Sequence, residues 1–242
     1  MDNVPVVNSG RSVIIDNTSF LSEYFSTLEI QRLLNDRRNK SQTGDIIMML
    51  QHPPTFTTGI HDNPEEYPYL EEKPIRIERG GSVTYHGPGQ LVMYFIVSLK
   101  ENGINVLQLI ERIQSSMAEA LLRYGKGSEG RLGRETGLWL LNGKKIASIG
   151  LAVKGFSTLH GSALNVSNDM VPFSKIMPCG FDHDIMTSLS LESETDIDFE
   201  HFVEIQKQIL AEKFRINDTK KFGNEGEFRK YLSVQLSETA PS

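Results

Sequence analysis

The chain has 242 residues, a net charge of −6 and a pI near 5.6, with 38% hydrophobic and 23% charged residues. These values are typical of a globular protein with a sizeable core, in one domain or one and a half. The acidic balance argues against nucleic acid as the main partner, and no apolar run reaches the roughly 18 residues of a membrane span. Because the N-terminus also lacks the pattern of a signal or transit peptide, we expect a cytoplasmic protein.

Hydrophobic periodicity and turn residues predict the elements in chain order. Strands are expected at 11–15, 45–50, 75–78, 91–98, 137–141, 145–153 and 157–166, and helices at 19–38, 106–124 and 198–214. Asn105 is a good N-cap, and Asn142-Gly143 and Lys154-Gly155 are hairpin turn signals. Residues 126–134 are predicted to be a mobile loop. The sum is an α/β domain of the α+β type, built on hairpins and not on βαβ repeats.

The stretch from Arg79 to Gln90 contains four glycines, a proline, an arginine, a histidine and three hydroxyl side chains. Glycine lets the backbone approach a ligand closely, and polar side chains need partners when they are buried. The stretch is neither a dinucleotide fingerprint nor a Walker A loop, because it lacks their glycine spacing and their strand-to-helix context. It therefore predicts a substrate site lined by backbone N–H groups.

Cys179 is the single cysteine of the chain and lies between Pro178 and Gly180. One cysteine makes no internal disulfide and cannot by itself hold zinc, so no metal is expected. A lone cysteine is most often a small buried hydrophobe. Here the flanking proline and glycine favour instead a loop that presents the thiol.

Taken together, these motifs resemble the signature of the lipoyl(octanoyl) transferases, a family of the biotin/lipoate protein ligase superfamily. The resemblance covers roughly residues 10–215 and rests on motifs that follow one another in the family's order. They are 79–91, His52-Pro53-Pro54 with Thr58-Gly59, Gly137-Leu138-Trp139, 145–150, 158–166, and Pro178-Cys179-Gly180 with Thr187-Ser188-Leu189. The chain departs from the family's usual residues at Ser82, Phe95 and Thr136.

The resemblance implies a mixed, largely antiparallel sheet flanked by helices, as in the biotin/lipoate protein ligase-like catalytic domain. It places that domain in residues 1–215 and leaves 216–242 as a C-terminal tail, either flexible or an edge helix. It also implies an acyltransferase that moves an octanoyl group from octanoyl-acyl carrier protein to a lysine amine. The implied acceptors are lipoyl domains of 2-oxoacid dehydrogenases or the glycine cleavage H protein. No cofactor and no oligomeric partner are expected, and the enzyme is expected to act as a monomer.

Two residues carry the implied chemistry. Cys179 is the nucleophile that forms a thioester acyl-enzyme, and Lys145 is its base. Taken alone, Lys145 would be an ordinary surface lysine of a strand. Lys144 is the reserve candidate, but strand alternation places the two side chains on opposite faces.

The resemblance also marks the segments that enclose the acyl chain and the thioester oxygen. These substrate-binding candidates are Arg79, Gly80, Gly81, Ser82, Val83, Thr84, Tyr85, His86, Ser148, Ile149, Gly150, His160, Gly161, Ser162 and Ala163. For His86 and His160 a second interpretation stays open, in which the rings hold loops together.

Three other functions compete with this hypothesis. An ATP-dependent lipoate or biotin ligase shares the fold but needs no cysteine. A catalytically silent protein that binds acyl carrier protein or lipoyl domains would have no use for both Cys179 and Lys145. A papain-like peptidase would need an imidazole base and an orienting asparagine in motifs that are not found here.

Overall fold

The computed structural model describes residues 11–177 and 185–237, and within these ranges it contains a large sheet, a small sheet and flanking helices. The strands are β1 (Val13–Leu21), β2 (Ile46–Gln51), β3 (Thr55–Thr58), β4 (Ile75–Arg76), β5 (Thr84–His86), β6 (Gln90–Ile96), β7 (Ser128–Arg131), β8 (Gly137–Leu140), β9 (Lys145–Lys154), β10 (Ser157–Asn165) and β11 (Asp218–Lys221). The helices are α1 (Tyr24–Asn39), α2 (Leu99–Asn102), α3 (Val106–Leu122), α4 (Phe199–Phe214) and α5 (Glu225–Ser237).

The large sheet has eight strands in the order β11-β1-β2-β6-β10-β9-β8-β7. Strand β1 pairs in parallel with β11 and β2, whereas the other neighbours are antiparallel. The predicted mixed, largely antiparallel sheet flanked by helices is therefore confirmed. Strands β4, β3 and β5 form the small sheet, which carries part of the glycine-rich stretch.

Side-chain alternation along the central strands divides the core between the two faces of the large sheet. Met93 and Phe95 of β6 pack in the cluster that contains Met117 of α3 and Phe202 of α4. Val92 and Tyr94 point to the opposite face, whose cluster includes Leu34 of α1, and Phe228 and Leu232 of α5. The candidate site lies on this second face.

The predicted N-cap at Asn105 and the two predicted hairpin turns are present. The Asn105 side chain accepts from the Gln108 N–H, and the Gln108 side chain accepts in turn from the Asn105 N–H. Gly143 and Gly155 take positive φ values of 87° and 68° in the turns after β8 and β9. Each turn thus uses the residue whose missing Cβ permits that conformation.

The N-terminal boundary between strand and helix was predicted wrongly. Strand β1 continues to Leu21, and α1 begins at Tyr24 behind the N-cap Glu23. The polar residues after 15 suggested that the strand ends there. They stay in it because the strand continues to pair with β2 as far as Leu21, opposite Gln51. Thr18 also donates from both its N–H and its hydroxyl to the buried carboxylate of Asp16.

The loop predicted at 126–134 contains strand β7, which pairs with β8. The side-chain amide of Gln114, on α3, donates to the carbonyl oxygens of Arg131 and Gly137. A Cβ at Gly130 would lie only 2.6 Å from Gln114 Cδ, so the glycine admits that amide. Partners distant in sequence therefore order a segment that has no apolar pattern of its own.

The C-terminal segment adds to the large sheet. Strand β11 pairs with β1, and helix α5 buries Phe228 and Leu232 against the second face. No helix in the described part of the chain combines the length and apolar character required to cross a membrane.

Arg38 joins three elements near the C-terminus of α1. Its side chain is 4% exposed, and its guanidinium donates to Asp45 before β2 and to Glu101 of α2 at 2.7–2.9 Å. We expect Arg38→Gln to lower the free energy of unfolding by about 3 kcal/mol, because it leaves a largely buried Asp45 carboxylate without its charge partner. Urea unfolding measures this difference.

Lys40→Gln is the matched control, since Lys40 is 58% exposed and pairs with Asp36 in the preceding turn of helix. We expect that change to cost about 0.5 kcal/mol or less. Equal losses in the two variants would contradict the structural role of Arg38.

Candidate active site

Small side chains on three neighbouring strands make the floor of a cavity on the second face of the large sheet. Ala163 of β10 stands opposite Val92 of β6 and Ser148 of β9. Directly opposite residues of antiparallel strands point to the same face. The next row, Tyr94, Gly161 and Gly150, contains two glycines, so space is left above the strands.

The roof of the cavity is the segment that connects β4 to β5. Gly80 N–H donates to Leu151 O of β9 at 3.0 Å, and Ile60 N–H donates to Arg79 O at 3.0 Å. A Cβ at Gly150 would lie 2.6 Å from Gly80 O, so only glycine at 150 allows the roof to come this close. The Arg79 guanidinium donates to Thr57 O and Oγ1, which fixes the roof to β3.

The cavity encloses an empty volume of about 570 Å³, its open mouth included. Its wall contains Lys145 and, of the predicted substrate-binding residues, Arg79, Gly80, Gly81, Ser82, Val83, Thr84, His86, Ser148, Ile149, Gly150, His160, Gly161, Ser162 and Ala163. Residues that are distant in sequence are thus brought to one cavity.

Tyr85 is not brought to this cavity. Its ring packs against Phe56 and Phe173 at centroid distances of 5.1 and 5.6 Å. Because β5 alternates, Thr84 and His86 point into the cavity and Tyr85 points to the other side. The wall also contains Tyr24, Val92, Tyr94 and Thr136, which sequence reasoning did not assign to the site.

Lys145 begins β9 and is 2% exposed, with its Nζ 5.6 Å from the ring centroid of Trp139. Its chain passes Gly137, where a Cβ would lie 2.8 Å from Lys145 Cε. Lys144 instead points outward, 51% exposed, with its Nζ 3.9 Å from a Glu192 carboxylate oxygen. Strand alternation therefore separates the two lysines as expected, with Lys145 at the cavity.

Cys179 lies outside the described residues, but the chain on both sides of 178–184 is described. Thr187 N–H donates to Lys145 O at 3.0 Å, and Met186 pairs with Lys145 in a parallel bridge. On the other side, Ile176 packs in one cluster with Met186 and with Val83 of the cavity wall. The chain therefore leaves and re-enters the described structure beside the cavity.

A buried polar network lies beneath the cavity. His52 contacts Ser22 O through Nδ1 at 2.5 Å and the Tyr94 hydroxyl through Nε2 at 2.7 Å. His86 contacts Gln90 Oε1 through Nδ1 at 2.9 Å and stacks on Tyr24. Burial lowers the pKa of His52 to about 4, and burial together with the neighbouring His52 lowers the pKa of His86 to about 3. Both rings are therefore neutral at pH 7.

His160 takes a left-handed backbone conformation with φ 62°, which interrupts the alternation of β10. Its N–H donates to Gln31 Oε1, and its ring is buried in the cavity wall. The nearest carboxylate oxygen, Glu78 Oε2, is 3.7 Å from its Nε2, and neither ring nitrogen has a hydrogen-bond partner among the described residues. Burial lowers the pKa of His160 to about 4. A neutral ring with open hydrogen-bonding capacity is suited to a polar ligand group.

The described residues contain no group of three or more His, Cys, Asp or Glu side chains that could hold a metal ion. The cavity instead combines apolar side chains, backbone of the glycine-rich roof, neutral histidines and one buried lysine. That set of groups fits an acyl chain with a polar carbonyl end.

Comparisons with known proteins give relatives over most of the chain. Residues 23–211 match the family described as lipoyl protein ligase A/B catalytic domain. A probable octanoyltransferase 2 of Picrophilus torridus is 41% identical over 84% of this chain and 80% of its own length. An octanoyltransferase of Coxiella burnetii is 43% identical over 74% of this chain and 73% of its own length.

The fold is also similar to solved structures. Lipoate-protein ligase A bound with ATP aligns with a TM-score of 0.67 and 16% identity over 96% of this chain and 95% of that one. A bipartite lipoate protein ligase from Thermoplasma acidophilum, studied with its E2 lipoyl domain, aligns with a TM-score of 0.64 and 16% identity over 96% and 92%. At these identities the similarity shows the fold alone.

The buried neutral histidines predict a dependence of stability on pH. Their folded pKa values of about 3–4 lie below the ordinary 6.5, so the unfolded chain binds more protons between these values. The contribution of these histidines to the free energy of unfolding is fully present above pH 6.5 and is lost as the pH falls towards 4. The free energy of unfolding then falls by up to about 1.4 kcal/mol per pH unit for each histidine. Urea unfolding between pH 7 and 5 measures the slope.

His52→Gln is expected to reduce this slope, because it removes one of the buried titrating rings. The same change at His61, whose side chain is exposed, is the matched control and should leave the slope unaltered. A wild-type protein with equal stability at pH 7 and 5 would contradict the prediction.

Proposed function

The chain belongs to the octanoyltransferases of the lipoyl protein ligase A/B catalytic-domain family, and from this membership we propose that it moves an octanoyl group from octanoyl-acyl carrier protein to a lysine amine of a lipoyl domain. The group travels as a thioester on Cys179. One observation above all supports the proposal: a buried lysine, Lys145, lies in a cavity that joins apolar walls to a glycine-rich roof.

In the first step the Cys179 thiolate attacks the thioester carbonyl of the donor. A new C–S bond to Cys179 forms, the C–S bond to the carrier breaks, and the carrier thiol leaves with a proton. One thioester replaces another, so the exchange is nearly isoenergetic. Because a free cysteine has a pKa near 8.5, only a few per cent is thiolate at pH 7, and a neighbouring cation increases that fraction.

In the second step the lysine amine of the lipoyl domain attacks the acyl-enzyme. A C–N bond forms, the C–S bond to Cys179 breaks, and the amine gives up a proton. Aminolysis of a thioester runs downhill, so the transfer needs no ATP. Since a free lysine has a pKa of about 10.4, the incoming amine must lose a proton before it attacks.

Lys145 is the proposed partner in both proton transfers. As an ammonium it stabilises the Cys179 thiolate and supplies the proton for the leaving thiol, and as a neutral amine it accepts the proton of the incoming lysine. Its buried position and the pairing of its backbone with Met186 and Thr187, which follow the segment of Cys179, support this role.

The octanoyl chain is proposed to lie on the floor of the cavity, against Val92 and Ala163. Burial of each CH₂ contributes about 0.8 kcal/mol, so most of the chain contributes on the order of 5 kcal/mol. The backbone N–H groups of the roof, apart from that of Gly80, which donates to Leu151 O, are the proposed donors to the oxygen of the tetrahedral intermediate.

The physiological setting is part of the proposal. The acceptors are lipoyl domains of 2-oxoacid dehydrogenases or the glycine cleavage H protein, and the enzyme works in the cytoplasm as a monomer without a cofactor. One solved neighbour of the same fold was studied with its E2 lipoyl domain, which supports an acceptor of this kind.

Mass spectrometry of the intact protein tests the reaction. After mixing with octanoyl-loaded acyl carrier protein and no ATP, the chain should gain one octanoyl group that hydroxylamine removes, and Cys179→Ala should gain none. Transfer that requires ATP and free octanoic acid would overturn the proposal in favour of a ligase. Carrier binding without any adduct would favour a silent binding protein.

Replacement of Lys145 separates its role from general effects of charge. We expect Lys145→Met to slow transfer by about 10²–10⁴-fold, the usual contribution of a general acid–base group. Lys144→Met removes the same charge from the exposed neighbour and should keep most of the activity. Steady-state rates with the carrier and a lipoyl domain decide this, and equal losses in the two variants would contradict the role of Lys145.

A larger side chain on the cavity floor should shift the preference towards shorter acyl chains. Ala163→Leu fills space between Val92 and Ser148, so kcat/KM for octanoyl relative to hexanoyl should fall about tenfold or more, as expected for a mis-sized apolar pocket. Ala152→Leu, on β9 but outside this cavity, is the control. An unchanged ratio in Ala163→Leu would show that the acyl chain lies elsewhere.

A further inference from the structure

Two buried side-chain amides, Gln90 and Asn165, connect three segments around the cavity. Gln90 begins β6 and Asn165 ends β10, and each is 1% exposed. Gln90 Nε2 donates to Asn165 Oδ1 at 2.9 Å. Neither residue lines the cavity, so the pair acts on the site only through its neighbours.

The orientation of both amides follows from backbone carbonyl groups, which can only accept. Asn165 contacts Thr187 O at 3.0 Å, so its Nδ2 must face Thr187. Its Oδ1 is thereby directed to Gln90 and Asn168, both of which donate to it. Gln90 in turn contacts Tyr85 O at 3.1 Å, so its Nε2 faces Tyr85 and Asn165.

Only one atom of Gln90 then remains for His86. Gln90 Oε1 lies 2.9 Å from His86 Nδ1, and because an amide oxygen can only accept, Nδ1 must carry the proton. In a neutral imidazole the other nitrogen is then an acceptor. Since Nδ1 is occupied, Nε2 is the nitrogen left for a ligand in the cavity, to whose wall His86 belongs.

We propose that Gln90 and Asn165 are positioning residues that hold His86 as the Nδ1–H tautomer, so that His86 Nε2 accepts a hydrogen bond from the attacking amine of the acceptor lysine. This inference rests on the proposed function for the identity of the ligand. His86 Nε2 can only accept a hydrogen bond. A neutral lysine amine has a hydrogen to donate to it, whereas the carbonyl oxygen of the octanoyl thioester has none. The ring is therefore suited to the incoming amine and not to the thioester oxygen. His86 orients the amine whose proton Lys145 receives.

The surroundings of His86 favour a neutral acceptor over a group that stores a proton. The titratable and charged groups that face it are Tyr24 of α1, His52 after β2, Arg79 of the roof and His160 of β10. Burial, His52 and Arg79 all lower the pKa of His86, to about 3. At neutral pH the ring therefore offers a lone pair and holds no extra proton.

The same amide pair also reaches the catalytic lysine. Asn165 Nδ2 donates to Thr187 O, and Thr187 N–H donates to Lys145 O at 3.0 Å. One buried network therefore sets both the ring of His86 and the backbone at Lys145. Through this network Gln90 and Asn165 can influence the attack of the lysine amine on the acyl-enzyme, although neither side chain lines the cavity.

The tautomer is measured directly by two-bond ¹H–¹⁵N correlation spectra of the full chain labelled at histidine nitrogens, at pH 7. His86, assigned by the signal lost in His86→Gln, should show a protonated Nδ1 and an unprotonated Nε2. An Nε2–H tautomer or a doubly protonated ring would overturn the proposal. This result does not depend on activity, so it is distinguishable from a failure of the proposed function, in which the wild type would form no acyl-enzyme.

A kinetic variant tests the positioning role. Gln90→Met removes the acceptor opposite His86 Nδ1, so the ring is no longer held as the Nδ1–H tautomer and Nε2 can carry the proton instead. Aminolysis of the preformed acyl-enzyme should then slow about tenfold more than acylation by the carrier, because only aminolysis uses the lone pair of His86 Nε2. Asn165→Leu removes the oxygen that accepts from Gln90 Nε2 and should produce the same split.

Gln208→Met, on the exposed side of α4, is the matched control and should alter neither half-reaction. Equal slowing of both half-reactions in Gln90→Met and Asn165→Leu would reduce the pair to a structural role and overturn the proposal.

Discussion

The absence of side chains at the centre of the second sheet face is the constraint on which the site depends. A Cβ at Gly150 would lie 2.6 Å from the Gly80 carbonyl oxygen, and a Cβ at Gly161 would collide with the carbonyl of Met93. Without these glycines the roof could not bond to β9, and β10 could not pack on β6 as it does. The cavity thus results from close backbone packing around a row of small residues, and the other face of the large sheet is covered by α3 and α4.

Buried polar groups give this cavity its chemical character. His52, His86 and Tyr94 lie in one network whose rings are neutral at pH 7, so the site bears hydrogen-bonding capacity without extra charge. Lys145 enters the same space from β9 beside the ring of Trp139. A buried amine beside neutral histidines, with Arg79 as a second cation in the wall, is the electrostatic setting in which a thiolate or an incoming amine can exchange a proton with it.

Much of the fold and site could be predicted from the sequence because the signals were local. The Asn105 cap, the Asn142-Gly143 turn and the apolar strands determine their own conformations. The glycine-rich stretch and the Lys145 strand were identified as site segments by their motifs, although the roles of their residues stay predictions.

Tyr24 and Val92 were missed because nothing near them in sequence distinguishes a cavity-lining residue from a residue of the core. Tyr85 was included because the motif was assigned to the site as one continuous stretch, whereas alternate side chains of a strand point to opposite faces. Strand β7 was missed because its order depends on β8 and on Gln114, both distant in the chain.

The central claim is that the octanoyl group resides on Cys179 between the two substrates. The most direct test isolates the octanoylated enzyme, removes the carrier, and mixes it with a lipoyl domain in the absence of ATP. The account predicts that the enzyme loses its octanoyl mass as the lipoyl domain gains it in amide linkage at its lysine. An octanoylated enzyme that stays inert, while free enzyme with loaded carrier still modifies the lipoyl domain, would contradict the account.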